Sequence, residues 1–151
     1  MVRLKELGHI LLRVLDLDRS KKFYSEVLGF KVLEEDPAHG GTFMALEGQS
    51  HAIDLFQVKD ADAALRQTPG VRGLGHIAFR VDSEGALKDA YAALKEHGVE
   101  ITRTIDHVSQ KSIYFQDPDG NTLEIYFELP DALAIFARGR NDRDVALELD
   151  R

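Results

Sequence analysis

Two stretches, "LGHILLRV" at residues 7–14 and "LGHIAFRV" at residues 74–81, are nearly identical in sequence. Each is rich in β-branched and aliphatic residues that alternate with other side chains, which is typical of a strand with one buried face. Each also places a histidine, His9 or His76, at the start of that strand. The repeat, at an offset of 67 residues, predicts a duplicated structural unit.

A helix follows each of these strands. Asp16 or Asp18 is expected to cap the first helix and Gly29 to end it; Ser83 and Gly98 have the same roles in the second half. Short strand-like segments then follow in both halves, so each half is predicted to have the order β-α-β-β-β. The predicted fold class is therefore α+β, built from two tandem βαβββ modules.

The predicted boundaries cover the whole chain as one domain. Within it we expect a first module over 5–58, a connector over 59–72, a second module over 73–128 and a C-terminal tail over 129–151. The turn "DPDGN" at 117–121 joins the last two strands of the second module. The tail begins with an apolar segment after Pro130, and we expect it to dock one helix and then fray.

Composition excludes several classes of protein. The net charge of −7 in 151 residues argues against a nucleic acid or an anionic membrane as partner. No apolar run approaches the roughly 18–20 residues that span a bilayer, and the N-terminus lacks the apolar core of a signal peptide. The absence of cysteine excludes disulfides and thiolate metal sites, so any metal must be held by His, Asp or Glu. We expect a cytoplasmic protein.

Two βαβββ modules related by duplication resemble the vicinal oxygen chelate superfamily. That superfamily includes glyoxalase I, fosfomycin-resistance enzymes, methylmalonyl-CoA epimerase, bleomycin-binding proteins and extradiol ring-cleaving dioxygenases. The resemblance covers about residues 5–128. It implies that the paired modules form a cupped, open β-barrel with flanking helices and with the site inside, and that the protein forms a homodimer.

Strand alternation predicts which side chains face that site. His9 shares a face with Leu11, and His76 shares a face with Ala78, opposite the apolar residues that pack under the helices. In the last strand Glu124 alternates with apolar neighbours and faces the same concave side. Two imidazoles and one carboxylate are the ligand set of non-haem Fe(II) oxygenases. We therefore expect His9, His76 and Glu124 to bind a metal, Fe(II) first, with Mn(II), Ni(II), Co(II) or Zn(II) as alternatives.

The segment "DHVSQKSIYFQDPDGNTLEIYF", residues 106–127, narrows the resemblance. It is similar to the small catechol 2,3-dioxygenase-like members, in which an Asp-His and an Ile-Tyr precede the Asp-Pro-Asp-Gly-Asn turn. The resemblance implies that His107 and Tyr114 hydrogen-bond a catecholic substrate and that His51 takes a substrate proton or stabilises bound superoxide. It thus implies an extradiol dioxygenase, an oxidoreductase whose partners are a small aromatic substrate and dioxygen.

Asp54 departs from that pattern. Under the duplication it matches Glu124, and glyoxalase I or the epimerase has a fourth metal ligand there, whereas extradiol enzymes have a small residue. A metal-dependent lyase or isomerase using His9, Asp54, His76 and Glu124 is therefore an alternative. In a regular strand His51 and Asp54 would lie on opposite faces, and we expect His51 to face inward.

A non-catalytic drug-binding protein is a further alternative, although such binders usually lack the metal triad. Fosfomycin transfer is disfavoured because Leu11 stands where a hydroxyl residue is expected. Arg13 and Arg80 are expected to pair with carboxylates such as Asp54 or Glu128. His39 and His97 are expected to be surface residues.

Overall fold

The structure is a computed structural model that describes, in order, residues 1–3, 5–36, 38–59, 73–139 and 143–149. The chain divides into two units, Met1–Arg66 and Gln67–Arg151. From residue 60 onward, the connector predicted over 59–72 lies outside the described residues. Each unit is therefore described by itself.

The first unit has the predicted order of one strand, one helix and three strands. The elements are β1 (Ile10–Val14), α1 (Leu17–Lys22), β2 (Lys31–Asp36), β3 (Gly41–Ala45) and β4 (Ile53–Gln57). Helix α1 continues as a π-helical segment over Phe23–Val27. The sheet order is β1-β4-β3-β2, with β1 parallel to β4 and the other pairs antiparallel.

The second unit repeats this plan. Its elements are β5 (Ile77–Val81), α2 (Glu84–Glu96), β6 (Ile101–Asp106), β7 (Gln110–Gln116), β8 (Thr122–Glu128), α3 (Ala132–Arg138) and β9 (Val145–Ala146). The sheet order is β5-β8-β7-β6-β9, and β5 is parallel to β8 as β1 is to β4. The α+β class and the two βαβββ modules are confirmed.

The helix boundaries follow the capping residues in the sequence. The Asp16 carboxylate accepts a hydrogen bond from the Arg19 amide at 2.9 Å, and the Ser83 hydroxyl accepts one from the Ala86 amide at 3.0 Å. Gly29 and Gly98 follow the two helices with φ of 76° and 68°, the left-handed conformation that glycine adopts without strain.

Apolar side chains of the sheets and helices form the core of each unit. In the first unit, Leu12, Val14 and Tyr24 are buried; in the second, Leu87 and Leu94 of α2 are buried. Helix α1 packs on β3 and β4, and α2 packs on β5, β7 and β8. Because one face of each sheet is covered by a helix, polar side chains at alternating positions lie on the other face.

The C-terminal tail differs from the prediction. Helix α3 forms as expected, but the chain then adds β9, an antiparallel edge strand on β6, instead of fraying. Strand β6 would otherwise expose a row of unpaired backbone groups at the sheet edge, and β9 partly satisfies them. The Thr104 hydroxyl also donates to the Leu147 carbonyl at 2.7 Å, and Leu149 is buried. The prediction that the tail frays was wrong.

Candidate functional site

A polar cluster in the first unit brings together His9, His51 and Asp54. Donor atoms of the three side chains all lie within 4.8 Å of one another. His9 Nε2 lies 3.5 Å and His51 Nε2 3.8 Å from Asp54 Oδ2, and the two imidazole centroids are 4.4 Å apart. Two imidazoles and a carboxylate at this spacing could hold a divalent cation.

The strand register explains how His9 and Asp54 meet. Strands β1 and β4 run parallel, and Leu11 is the register partner of Asp54. His9 lies two residues before Leu11 and just ahead of β1, and its 3.5 Å contact with Asp54 shows that it lies on the same face, diagonally across from Asp54. His51 also lies close to Asp54, although strand alternation predicts that the two side chains lie on opposite faces. Strand β4 begins only at Ile53. His51 precedes the strand and does not follow its alternation.

Asp54 is the feature of this cluster that fits a bound cation best. Its side chain is 4% exposed, and its Oδ1 atom has no hydrogen-bond partner in the part of the chain that the structure describes. A buried carboxylate oxygen without a partner is costly, and positive charge or a donor would relieve that cost. The donor set and the unpartnered oxygen therefore fit a divalent metal.

The second unit places His76 and Glu124 in the same relation. Ala78 is the register partner of Glu124, and His76 lies two residues before Ala78, just ahead of the parallel neighbour strand β5. His76 Nε2 lies 3.0 Å from Glu124 Oε2. The Glu124 side chain is 3% exposed, and its other oxygen accepts a hydrogen bond from Gln110 Nε2 at 2.9 Å. Glu124 is thus held in place on the side away from His76.

Tyr114 lies beside this pair on the neighbouring strand β7. It is the register partner of Glu124, and its ring centroid is 5.8 Å from that of His76. Burial, and then the negative charge of Glu124, raise the pKa of Tyr114 to about 12. The Arg103 guanidinium lies 4.2 Å from the ring centroid of Tyr114. The phenol therefore keeps its proton at neutral pH.

His107 connects Tyr114 to the C-terminal tail. His107 Nε2 is 3.0 Å from the Tyr114 hydroxyl oxygen, and His107 Nδ1 is 2.9 Å from Asp144 Oδ1. The His107 and Tyr114 side chains are largely buried, whereas the Asp144 side chain is 45% exposed, so only the contact with Tyr114 is shielded from water. The predicted pair of His107 and Tyr114 is brought together, and a carboxylate is added behind it.

The structure therefore groups the predicted site residues by unit. His9 and His51 meet in the first unit, whereas His76, Glu124, His107 and Tyr114 lie close together in the second. Two residues that contact this second cluster, Gln110 and Asp144, were not predicted from the sequence. Alternation along β7 from Tyr114 could have indicated Gln110, but no local pattern points to Asp144.

Several smaller expectations can be checked directly. Arg80 pairs with Glu128 at 2.9 Å, as expected. His39 is exposed and contacts Asp36 at 2.6 Å, and His97 is exposed, so both surface assignments are confirmed. Arg13 is also exposed. These residues lie outside the clusters described above.

Comparison with known proteins identifies the family. The model of the Glyoxalase/Bleomycin resistance protein/Dioxygenase superfamily matches residues 6–125. The chain belongs to this superfamily.

Similar proteins include Biphenyl-2,3-diol 1,2-dioxygenase 2 of Rhodococcus globerulus, 32% identical over 92% of this chain and 73% of that protein. The chain spans 63% and 42% of two further dioxygenases that it matches. It is also 29% identical to the Lactoylglutathione lyase of Schizosaccharomyces pombe, over 80% of this chain and 46% of that protein. Similar proteins are thus enzymes of more than one reaction class.

The solved structures agree on the fold. A glyoxylase/bleomycin resistance protein/dioxygenase domain from Frankia sp. EAN1pec has a TM-score of 0.75 and 26% identity, covering 85% of this chain and 95% of that one. In the part of the chain that the structure describes, every helix is too short or too polar to cross a bilayer.

Proposed function

We propose that this protein is an Fe(II)-dependent extradiol dioxygenase that opens the ring of a small catecholic substrate. The observation that carries the proposal is the 3.0 Å contact of His107 Nε2 with the Tyr114 hydroxyl, beside the pair of His76 and Glu124. A phenol and an imidazole next to a His-carboxylate pair suit the recognition of a substrate hydroxyl near a metal. The similarity to a biphenyl-diol dioxygenase supports the same reaction class.

The metal ligands in this proposal are the three residues that the resemblance implies, His9, His76 and Glu124. Neutral imidazoles and a carboxylate bind Fe(II) and also Mn(II), Ni(II), Co(II) or Zn(II). Bound Fe(II) would hold the catecholate and dioxygen side by side and carry electrons between them.

The other residues act on the substrate. Tyr114 remains protonated at neutral pH, so its hydroxyl can hydrogen-bond one catechol oxygen, and His107 holds that hydroxyl in place. His51 is 34% exposed, so it can exchange protons with water. In the proposal it accepts a proton from the catechol, because an imidazole is the side chain best suited to proton transfer near neutral pH. We further expect a cytoplasmic homodimer.

Oxygen uptake tests this function. The metal-free protein, reconstituted with Fe(II) under anaerobic conditions, is mixed with air and a panel of catechols. We expect oxygen consumption together with a yellow ring-cleavage product for at least one catechol. His51→Phe should retain iron but lower kcat, whereas His39→Phe, a change at an exposed histidine, should leave both unchanged. No oxygen uptake with any catechol by the iron-loaded protein would contradict the proposal.

A metal-dependent lyase or isomerase is the second candidate. The unpartnered Oδ1 of buried Asp54, close to His9, favours it, because a fourth ligand from β4 would use that oxygen. The similarity to a lactoylglutathione lyase supports the same candidate, a metal-dependent lyase or isomerase. Asp54→Ala separates the two candidates: it should spare oxygen uptake in a dioxygenase and abolish thiohemiacetal or acyl-CoA isomerisation in a four-ligand enzyme.

A further inference from the structure

The C-terminal strand β9 holds a carboxylate beside the Tyr114–His107 pair. Strand β9 pairs with β6 through Ile105 opposite Ala146 and Asp106 opposite Val145. The Leu147 amide donates to the Thr104 carbonyl at 3.2 Å, and the Thr104 hydroxyl donates back to the Leu147 carbonyl. These backbone contacts fix the position of Asp144, the residue just before the strand.

Asp144 approaches one nitrogen of His107 while Tyr114 contacts the other. Asp144 Oδ1 lies 2.9 Å from Nδ1, and the Tyr114 hydroxyl lies 3.0 Å from Nε2. An ionised carboxylate can only accept hydrogen bonds, so the Nδ1 atom must carry the proton. In a neutral imidazole the Nε2 atom is then an acceptor, and the 3.0 Å contact assigns the single Tyr114 O–H proton to it, so that Glu124 acts on Tyr114 through its charge.

We propose that Asp144 is a positioning residue that fixes the tautomer and ring orientation of His107. Through His107 it sets the direction of the Tyr114 hydroxyl, whose lone pairs are then free to accept a hydrogen bond from a substrate hydroxyl. The statement about the substrate rests on the proposed dioxygenase function, but the statement about the tautomer does not. Removing a partner that orients a metal-ligating histidine typically costs about 10–100-fold in metal affinity or activity, and we expect a loss of similar size for a histidine that orients a substrate contact.

Nitrogen NMR of histidine-labelled protein tests the tautomer directly. The full-length protein is measured metal-free and zinc-loaded, and His107→Gln identifies the His107 signals by difference. We expect the Nδ1–H tautomer in the parent protein and its loss in Asp144→Ala. Asp144→Glu should restore it at least in part, because the carboxylate is retained.

A matched control is Asp131→Ala, which removes another exposed carboxylate of the same C-terminal segment. The Asp131 side chain makes no capping hydrogen bond to α3, so the change should leave the His107 signals as in the parent. Circular dichroism and thermal unfolding show whether each variant is folded. If folded Asp144→Ala keeps the Nδ1–H tautomer, or if Asp131→Ala changes it equally, the inference is overturned.

Activity supplies the second readout. In the iron-loaded enzyme, Asp144→Ala should lower kcat for a catechol about 10-fold or more while iron content is unchanged. An unchanged kcat would overturn the role in substrate positioning. If the tautomer changes but no catechol is oxidised by any variant, the positioning role of Asp144 stands and the proposed function fails. If catechols are oxidised but the tautomer does not respond, only the role of Asp144 fails.

Discussion

The two units place a histidine and a carboxylate in the same diagonal relation, yet the two pairs differ in their surroundings. In the first unit His9 lies 3.5 Å from Asp54, and in the second His76 lies 3.0 Å from Glu124. Aspartate is one methylene shorter than glutamate, which is consistent with the wider gap. Among the described residues Asp54 Oδ1 has no hydrogen-bond partner, whereas Gln110 binds the corresponding oxygen of Glu124.

The difference shows that the strand register and the neighbouring side chains determine different properties of each histidine–carboxylate pair. The parallel pairing of first and last strands brings an imidazole and a carboxylate together in both units. The surrounding side chains then determine how firmly each carboxylate is held. Glu124 is oriented in advance, as suits a metal ligand, while Asp54 has an oxygen available for a further partner.

The largest expected effect comes from removing His76, one of the proposed metal ligands. His76→Ala should weaken metal affinity by roughly 100-fold or more. Loss of a group that only orients a ligand typically lowers metal affinity by about 10–100-fold, and loss of a ligand itself should cost more. Chelator competition measures the affinity. His39→Ala, at an exposed histidine, is the control and should bind metal like the parent. Equal affinity of His76→Ala and the parent would remove His76 from the ligand set and weaken the comparison of the two units.

The next effect concerns a glycine that distinguishes the first sheet from the second. Gly41 is the register partner of Phe56, and a Cβ atom on it would lie 2.5 Å from Phe56 Cζ. Gly41→Ala should lower the free energy of unfolding by about 1–3 kcal/mol because the ring must move. Urea unfolding measures it. The control Gly75→Ala meets no atom within 4 Å, so an equal loss in both variants would contradict the explanation.

The unpartnered oxygen of Asp54 predicts a stabilising substitution. In the metal-free protein at about pH 8, where free imidazole is neutral, Asp54→Asn should raise the free energy of unfolding by about 1 kcal/mol. The reason is that a buried charge is removed. Glu124→Gln should give no such gain, because Gln110 already binds that carboxylate. A loss of stability in Asp54→Asn would show that the carboxylate is satisfied without a metal.

The smallest effect is electrostatic and tests the link between Glu124 and Tyr114. In the metal-free protein, Glu124→Gln should lower the pKa of Tyr114 from about 12 toward the ordinary value of 10.0, because part of the rise comes from the Glu124 charge. NMR of labelled tyrosine against pH measures it. An unchanged pKa would assign the whole shift to burial.

The same pKa implies a direction for stability at high pH. The folded protein keeps the Tyr114 proton to a higher pH than the unfolded chain, whose tyrosine ionises near 10. The contribution of this group is therefore fully present below about pH 10 and is lost as the pH rises through about 12. Tyr114→Phe should remove this part of the pH dependence, which unfolding curves across that range would measure.

Much of the fold could be predicted because its signals are local. Asp16 and Ser83 mark the helix starts, Gly29 and Gly98 mark the ends, and the repeated strand text reveals the duplication. These residues act on backbone groups within a few positions, so their effects can be read without knowing the tertiary structure.

The remaining features depend on contacts between distant parts of the chain. Strand β9 has only two residues and shows no periodicity, so its pairing with β6 could not be predicted, and neither could the contact of Asp144 with His107. The meeting of His51 and Asp54 was missed for another reason. His51 lies two residues before β4, so strand alternation does not apply to it, and the sequence alone does not mark where a strand begins.

The edge position of β9 has a consequence for engineering. Substitutions at the exposed positions 143–146 can alter the contact of Asp144 with His107, whereas Leu149 is buried and should be kept. Residues 143–146 therefore form a compact target for combinatorial libraries that test the proposed positioning role of Asp144. Fusion partners attached near this strand should carry spacers long enough to leave its pairing with β6 undisturbed.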